Sequence, residues 1–394
     1  VAFLEIQSAS KKFVVTPTSC KAKNPGESAK LQWRETGLTN TDTKETLTII
    51  CTVLLGNEST LEREVFGVTL KATTIEVNDD IESESAPIFI TTMTHLEGNW
   101  DFSGNDGREK FDQKIASIEL AMNTFEQHGA LLTIESETPF SAAAIEWDSD
   151  IFSAILARGH GVGTHCDIPP LQTILSIEEF SEQFSQRKDF MDTLIGVENN
   201  LGCSGGQGFN DWILGAATAG FKFIDGIVGY AFLSMPLENR PEGWTDEYII
   251  DQGHYHDNVP VALADRIHPF MMEDASDFVP DKPGKVLLSA GGLGRLDGFA
   301  DEERGETCRP RCSFEDEDID AAFRRIDEAL IAHDSSRIGE IDIYFPLSSF
   351  VNQNISYIES FLSRLKNEYI IPGKLRWGTQ RDVYEAYTSL IEAE

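Results

Sequence analysis

The sequence contains no uninterrupted apolar run of the ~18 residues that a transmembrane helix requires, so we expect no membrane-spanning segment. Basic residues are also scarce, because 32 lysines and arginines stand against 66 acidic residues, a formal net charge of -34. A surface this acidic repels a phosphate backbone, and we therefore expect no nucleic-acid partner. The same charge is typical of proteins that stay soluble in salty surroundings, where acidic surfaces are screened.

Cysteine is sparse too, with six residues in 394. An even count in local groups predicts disulfides and a secreted or cell-surface location, and a start at Val1 without methionine is typical of a processed product. A zinc site is the competing interpretation, which the lack of any C-x-x-C pair weakens. The grouping predicts three disulfides: Cys20–Cys51, Cys166–Cys203 and Cys308–Cys312.

Residues 1–78 form short runs of alternating apolar and polar side chains, separated by turn residues. β-branched residues are frequent in these runs, which predicts a small all-β sandwich. Trp33 lies between Cys20 and Cys51, as in immunoglobulin-like cores. We interpret the module as a spacer or docking domain. Residues 79–86 are acidic and serine-containing, which is typical of a linker.

From residue 87 to residue 394 the pattern changes to alternating strands and helices. Repeated β/α units imply a parallel sheet, and their number predicts an α/β fold with a β/α barrel or distorted barrel. Amphipathic spacing predicts helices that include one through Phe111 to Phe125, one through Ile151 and Ile155, and one capped by Ser176. The predicted strands lie at 87–92, 130–134, 161–165, 221–224, 286–288, 341–344 and 375–377.

Polar side chains follow two of these strands. His95 and Glu97 come after the first strand, and His165 and Asp167 end the third, each pair two residues apart. We expect these two strand ends to be neighbours in the sheet. Ligands gather at the carboxyl ends of parallel strands, and imidazoles with carboxylates suit a divalent ion such as zinc. The alternative is a set of hydrogen-bonded strand-end residues without a metal.

Four segments resemble motifs of the polysaccharide deacetylases. The first predicted strand, followed by the acidic Glu97, resembles the first motif. The segment 159–165, G-H-G-V-G-T-H, resembles the G-H-E-[IV]-G-x-H segment of that family, whose last histidine binds the metal. The segment 205–212 with the A-G-F at 219–221 resembles the third motif, and 373–379 resembles the closing strand and turn. The resemblance spans 86–387. It implies a distorted β/α barrel, metal binding at Glu97 and His165, and removal of acyl groups from glycans.

The sequence also departs from the family pattern. In place of T-F-D-D-G it has His95-Leu96-Glu97-Gly98, and the second motif histidine falls at Pro169, where Asp167 is the possible substitute. The late catalytic histidine would fall near Phe345, where none exists. These departures leave the acid for the leaving group without an assigned residue.

Glu97 and Asp167 are therefore the candidate catalytic residues, and His95, Glu97, His165 and Asp167 the candidate zinc ligands. Trp100 and Trp212 are candidates for stacking on sugar rings, with a core position as the alternative. His254 and His256 lie in a long insertion and are candidates for substrate contact, for the missing acid or for a separate metal site, although loop histidines are commonly without a role.

Two functions remain open. One is a metal-dependent hydrolase that removes acyl groups from an extracellular polysaccharide. The other is a catalytically inactive relative with a glycan-binding, adhesion or assembly role, which includes a homo-oligomer at a surface. Metal analysis discriminates between them, because a bound zinc ion is expected only for the first.

Overall fold

The computed structural model describes residues 2–7, 45–54, 61–70, 86–98, 101–168, 173–259, 263–280, 284–306 and 312–393, and it describes only the backbone in the first three of these ranges. Contacts divide the chain into two compact units, Val1–Glu84 and Ser85–Glu394. None of the described helices is both long enough and apolar enough to cross a bilayer.

The first unit contains an antiparallel sheet. Its strands are β1 (Ala2–Gln7), β2 (Glu45–Leu54) and β3 (Leu61–Leu70), paired in the order β1-β2-β3. The alternating pattern predicted strands in the regions of β2 and β3. Cys20 and Trp33 lie outside the described residues, and of Cys51 only the backbone is described. The immunoglobulin-like sandwich therefore stays a prediction.

Strands and helices alternate along most of the second unit. The strands are β4 (Ile88–Leu96), β5 (Thr133–Ser136), β6 (Gly161–His165), β7 (Gly202–Ser204), β8 (Phe223–Asp225), β9 (Phe270–Met272), β10 (Val286–Leu288), β11 (Gly292–Arg295), β12 (Gly339–Tyr344) and β13 (Arg376–Trp377). The helices are α1 (Gly104–Gln127), α2 (Thr138–Glu146), α3 (Ile151–Ala157), α4 (Ile177–Ile195), α5 (Trp212–Ala219), α6 (Leu263–Arg266), α7 (Phe299–Glu303), α8 (Asp316–Ala332), α9 (Ile355–Leu365) and α10 (Gln380–Ala393). Short 3-10 and π turns occupy the connections.

The strands of this unit form one large, mostly parallel sheet. Its order is β11-β12-β4-β5-β6-β7-β8-β10-β9, and β13 also pairs with β4. Every described pairing is parallel except that of β9 with β10. The sheet therefore agrees with the α/β class that the repeated β/α units predicted.

The stretch of chain from β10 to β11 links opposite parts of this strand order. β10 pairs with β8, and β11, which follows after three residues, pairs with β12. The amide of Ser289 still donates to the carbonyl of Ile224 at 2.8 Å, and the amide of Asp342 donates to that of Gly291 at 2.9 Å. This stretch thus forms hydrogen bonds first with β8 and then with β12, which is consistent with a distorted barrel.

Apolar periodicity determines which face each helix buries. In α1, Phe111, Met122 and Phe125 recur at helical spacing and are fully buried. Helix α4 begins with a capping box, in which Ser176 Oγ accepts from the amide of Glu179 and the Glu179 carboxylate accepts from the amide of Ser176. Burying each such apolar side chain contributes about 1.5 to 3 kcal/mol.

Several predicted boundaries differ from the structure. The first strand extends to Leu96 and so includes His95, which was expected to follow it. The strand expected at 130–134 begins at Thr133 instead, since the amide of Leu132 donates to the Nδ1 atom of His160 at 3.1 Å. The single helix expected through Ile151 and Ile155 is preceded by a separate helix, α2, and Asp148 with a φ of 49° lies in the turn between them.

Candidate metal centre

Polar side chains from β4, β5 and β6 meet at the carboxyl ends of these strands. His95 is the penultimate residue of β4, Glu97 follows that strand, His165 ends β6 and Asp167 lies two residues beyond it. The prediction that these two strands are direct neighbours is wrong, because β5 lies between them in the sheet. Strand pairing is a long-range property that the local pattern does not contain.

The two histidines nevertheless touch across β5. Glu135 of β5 is in register with His95 on one side and with Gly163 on the other. A Cβ atom at Gly163 would lie 2.8 Å from Glu135 Oε1, so a glycine is required for the carboxylate to occupy this space. The imidazole rings of His95 and His165 stack with their centroids 4.1 Å apart.

The ligand-capable atoms of the predicted set converge. His165 Nε2 lies 3.2 Å from Glu97 Oε2 and 3.5 Å from Asp167 Oδ2, and His95 Nδ1 lies 3.6 Å from Glu97 Oε2. Two overlapping groups have ligand atoms within 4.8 Å of one another: His95 with Glu97 and His165, and Glu137 with His165 and Asp167. All four predicted metal ligands therefore lie in one cluster.

Hydrogen bonds fix which nitrogen of each ring faces the cluster. His165 Nδ1 lies 2.8 Å from Ser204 Oγ, which leaves His165 Nε2 towards Glu97 and Asp167. His95 Nε2 lies 3.2 Å from Glu135 Oε2 and 3.3 Å from Ser204 Oγ, which leaves His95 Nδ1 towards Glu97. Metal-binding histidines commonly donate their other ring N–H to a carboxylate or a similar partner.

A divalent cation fits this donor set. His165 Nε2 is buried and has no hydrogen-bond partner among the described residues, although two carboxylates lie near it. A buried polar atom without a partner is costly, and a bound ion would satisfy it. Two imidazole nitrogens with carboxylate oxygens are a donor set that zinc accepts readily.

Charges within the cluster shift the pKa values of its members. Burial lowers the pKa of His165, but Asp167 and Glu97 outweigh it and hold that pKa well above its usual range. Burial raises the pKa of Asp167, but the positive charge of His165 lowers it to about 2. Burial likewise raises the pKa of Glu97, whereas the close approach of His165 and His95 brings it below its usual range. A divalent cation and a proton would therefore compete for His165 Nε2.

Sequence reasoning missed four members of the site. Glu135 and Ser204 orient the histidines, and Glu137 Oε2 accepts a hydrogen bond from the amide of Gly98 at 2.8 Å. Tyr344, at the end of β12, donates its hydroxyl to Glu97 Oε1 at 3.4 Å. Glu135 and Glu137 repeat the two-residue spacing of His95 and Glu97 after a predicted strand, and this signal could have found them.

The predicted sugar-stacking role of Trp212 is wrong. Its side chain is 0% exposed, and its indole nitrogen donates to Ser234 Oγ at 3.2 Å, so it packs in the core. An amphipathic indole with an internal partner is stable in a core position. Trp100 lies outside the described residues, so its role stays a prediction.

His254 and His256 lie together in a short helical turn of the insertion that follows β8. His254 Nδ1 lies 2.7 Å from Asp257 Oδ2, and its ring stacks on Tyr248 at 3.9 Å. His256 packs against the rings of Tyr230 and Tyr255. These contacts lie within the insertion itself, so substrate binding by either histidine stays a prediction.

A disulfide joins two of the strands that carry the site. Cys166 directly follows His165, Cys203 directly precedes Ser204, and the two cysteines are bonded with their Cα atoms 6.0 Å apart. This confirms the predicted Cys166–Cys203 pair. Cys312 is also disulfide-bonded, and its predicted partner Cys308, like Cys20, lies outside the described residues.

No protein-family model and no curated protein matches the chain. The chain is similar to a solved structure from Mycobacterium smegmatis described as a polysaccharide deacetylase, with 9% identity, a TM-score of 0.47, and coverage of 78% of this chain and 92% of that one. It is similar to a protein from Parabacteroides distasonis described as a glycoside hydrolase/deacetylase, with 10% identity, a TM-score of 0.47, and coverage of 78% and 72%. It is also similar to a 4-alpha-glucanotransferase from Thermococcus litoralis, with 11% identity and a TM-score of 0.44, covering 76% of this chain but spanning 40% of that one.

Proposed function

We propose that the second unit is a metal-dependent deacylase of the polysaccharide deacetylase type, with one divalent ion at the carboxyl ends of β4, β5 and β6. The observation that carries this proposal is the buried Nε2 atom of His165, which has no hydrogen-bond partner among the described residues and faces Glu97 and Asp167. His95 Nδ1 faces the same carboxylate of Glu97 from the other side.

We assign the ion to His95, Glu97 and His165. Such an ion supplies Lewis acidity towards an acyl carbonyl and lowers the pKa of a water molecule. Glu135 and Ser204 hold the two imidazoles in the orientation that the ion requires. The hydroxyl of Tyr344 holds Glu97 from the side of β12.

We assign proton transfer to the second carboxylate group. Asp167 lies beside His165 and is the candidate base for the attacking water, because an ionised carboxylate accepts a proton. Glu137 belongs to the same group within 4.8 Å. It is the candidate acid for the leaving group, a role to which the sequence analysis assigned no residue. No late histidine is needed in this arrangement.

An acylated extracellular glycan is the substrate class that we propose. The motif resemblance points to this class, and the Cys166–Cys203 disulfide is compatible with a location outside the cytosol. We further propose that 1–78 is a separate β module joined to this domain through residues 79–86. In that position it would serve as a spacer or a docking domain.

The test is release of acetate from N- and O-acetylated oligosaccharides by the zinc-loaded full chain. The proposal expects release that a chelator abolishes and that Asp167→Asn reduces by about 100-fold or more, which is typical for loss of a general base. A protein that binds zinc but releases no acyl group from any substrate would contradict the hydrolase assignment. The inactive glycan-binding relative would then be the better interpretation.

A further inference from the structure

A cavity lies away from the metal centre, at the edge of the sheet where β9 and β10 pair antiparallel. Its volume is about 150 Å³, and Phe270 of β9 and Leu288 of β10, which are paired in register, form part of its wall. None of the residues that line it belongs to the His95–His165 cluster. It is therefore a separate site.

Most of the cavity wall is apolar, and its positively charged side chains outnumber its negatively charged ones. The apolar lining is Val259, Phe270, Phe278, Pro280, Leu288 and Ala290. Two arginines, Arg266 and Arg337, also line the cavity, against one exposed carboxylate, Asp265. The cavity thus combines an apolar body with an excess of positive charge.

Arg266 is the unusual member of this lining. Its Nε atom is buried and has no hydrogen-bond partner in the described part of the chain. The nearby carboxylate of Glu302 is bonded to Arg325 instead, at 2.8 Å. Burial lowers the pKa of Arg266, and the charge of Arg325 lowers it further. Arg266 therefore brings to the cavity wall a positive charge that forms no described ion pair.

Arg337 is half-buried and forms no ion pair that the structure describes either. In a chain with 66 acidic and 32 basic residues, carboxylate partners are abundant. Other arginines of this unit do pair with them, including Arg158, Arg240, Arg295 and Arg325. Two arginines without carboxylate partners that line one cavity therefore indicate a site for an external anion.

The size of the cavity limits the apolar part of the ligand. An apolar cavity of about 150 Å³ accommodates a benzene ring. A carboxylate matches the planar guanidinium, which can donate two parallel N–H bonds to it. We propose that this cavity binds a small organic anion, namely a monocarboxylate with an apolar body about the size of one ring.

The proposal can be tested with benzoate as the probe, titrated into the full chain by calorimetry. Acetate keeps the charge without the ring, and benzyl alcohol keeps the ring without the charge. Each control should bind at least about tenfold more weakly, because one loses the buried apolar area and the other the charge-assisted hydrogen bonds. Benzoate binding no tighter than that of either control would overturn the proposal.

Variants locate the binding. Arg266→Gln and Arg337→Gln should each weaken benzoate binding by about tenfold, which is the expected loss of one charge-assisted contact. Ala290→Leu should weaken it by filling the cavity while both arginines remain. Arg376→Gln, on β13, is the matched loss of one positive charge outside the cavity and should leave the affinity unchanged. If Arg266→Gln fails to fold, Arg337→Gln and Ala290→Leu still decide the question.

An ion at the proposed metal centre would also attract the carboxylate of benzoate. The variant His165→Ala distinguishes binding at that centre from binding in the cavity. Benzoate affinity should be the same in this variant as in the wild type. If affinity disappears with His165→Ala and survives in Arg337→Gln and Ala290→Leu, benzoate binds at the metal centre and the cavity proposal is wrong.

Discussion

Glu135→Gln is the most informative single substitution in the metal centre. The Glu135 side chain is fully buried, and its Oε2 atom lies 3.2 Å from His95 Nε2. Glu135 also interacts with the buried carboxyl group of Asp225, which is not a member of the cluster. Orienting His95 is thus the contact through which Glu135 can influence a bound ion.

The size of the effect follows from the type of bond that is lost. Glutamine has nearly the same volume and can still accept from His95 Nε2, but a charge-assisted hydrogen bond is about twice as strong as a neutral one. Substitution of such an orienting carboxylate typically weakens metal binding by about 10- to 100-fold. Because Gln retains a neutral bond, we expect a loss of about tenfold in zinc affinity.

The metal-free variant should be about as stable as the metal-free wild type. Burial raises the pKa of Asp225 well above its usual range, and the charge of Glu135 raises it further. Removing that charge lowers the cost of keeping Asp225 buried, whereas the weaker hydrogen bond to His95 acts in the opposite direction. The melting temperature of metal-free Glu135→Gln should therefore stay close to that of the wild type.

Competition with a chromogenic chelator measures zinc affinity, and Glu340→Gln is the matched control. Glu340 is another fully buried carboxylate of the same sheet, and it accepts from Thr91 Oγ1 at 3.1 Å and also from Ser289 Oγ. It has no described contact with His95. Equal zinc affinity in Glu135→Gln and the wild type, or an equal loss in both variants, would refute the assignment of Glu135 as the positioning residue of His95.

Three further predictions concern the fold. Trp212→Ala should reduce the free energy of unfolding by about 3 to 5 kcal/mol, because it removes a fully buried indole; urea unfolding measures this, and a change below about 1 kcal/mol would contradict the core position. Replacing Cys166 and Cys203 together by alanine opens a link across 37 positions and should cost roughly 4 kcal/mol in the same assay; unchanged stability would contradict it. Burial raises the pKa of Asp342 well above its usual range, and Glu340 raises it further, so the folded state holds a proton that the unfolded state releases above about pH 4. The metal-free protein should lose stability as the pH rises from that value towards the raised pKa, and Asp342→Asn should make this slope shallower; an unchanged slope in thermal melts would count against it.

Local patterns carried much of the fold. The buried face of α1, the N-cap of α4 at Ser176 and strand β6 depend on residues a few positions apart, and the sequence predicted all three. His95, Glu97, His165 and Asp167 were also found from local rules, namely two-residue spacing at the ends of predicted strands. The structure brings these four side chains into one cluster.

Long-range features were not accessible in the same way. The insertion of β5 between β4 and β6 depends on pairing between distant segments, and this pairing places Glu135 beside His95. The contact of Ser204 with both histidines likewise requires β7 to lie next to β6. Trp212 was misassigned because an indole suits both a sugar-binding surface and a core, and only packing distinguishes them.

We infer that His165 Nε2 binds one divalent ion together with Glu97 and His95. Elemental analysis and zinc titration of the purified full chain can show this, with His165→Ala as the variant and His128→Ala, at the end of α1, as the matched control. We expect one zinc ion per chain for the wild type and His128→Ala, none for His165→Ala, and a cooperative unfolding transition for all three. A wild-type protein that binds no divalent ion at micromolar concentration, or a His165→Ala variant that keeps its zinc, would contradict it.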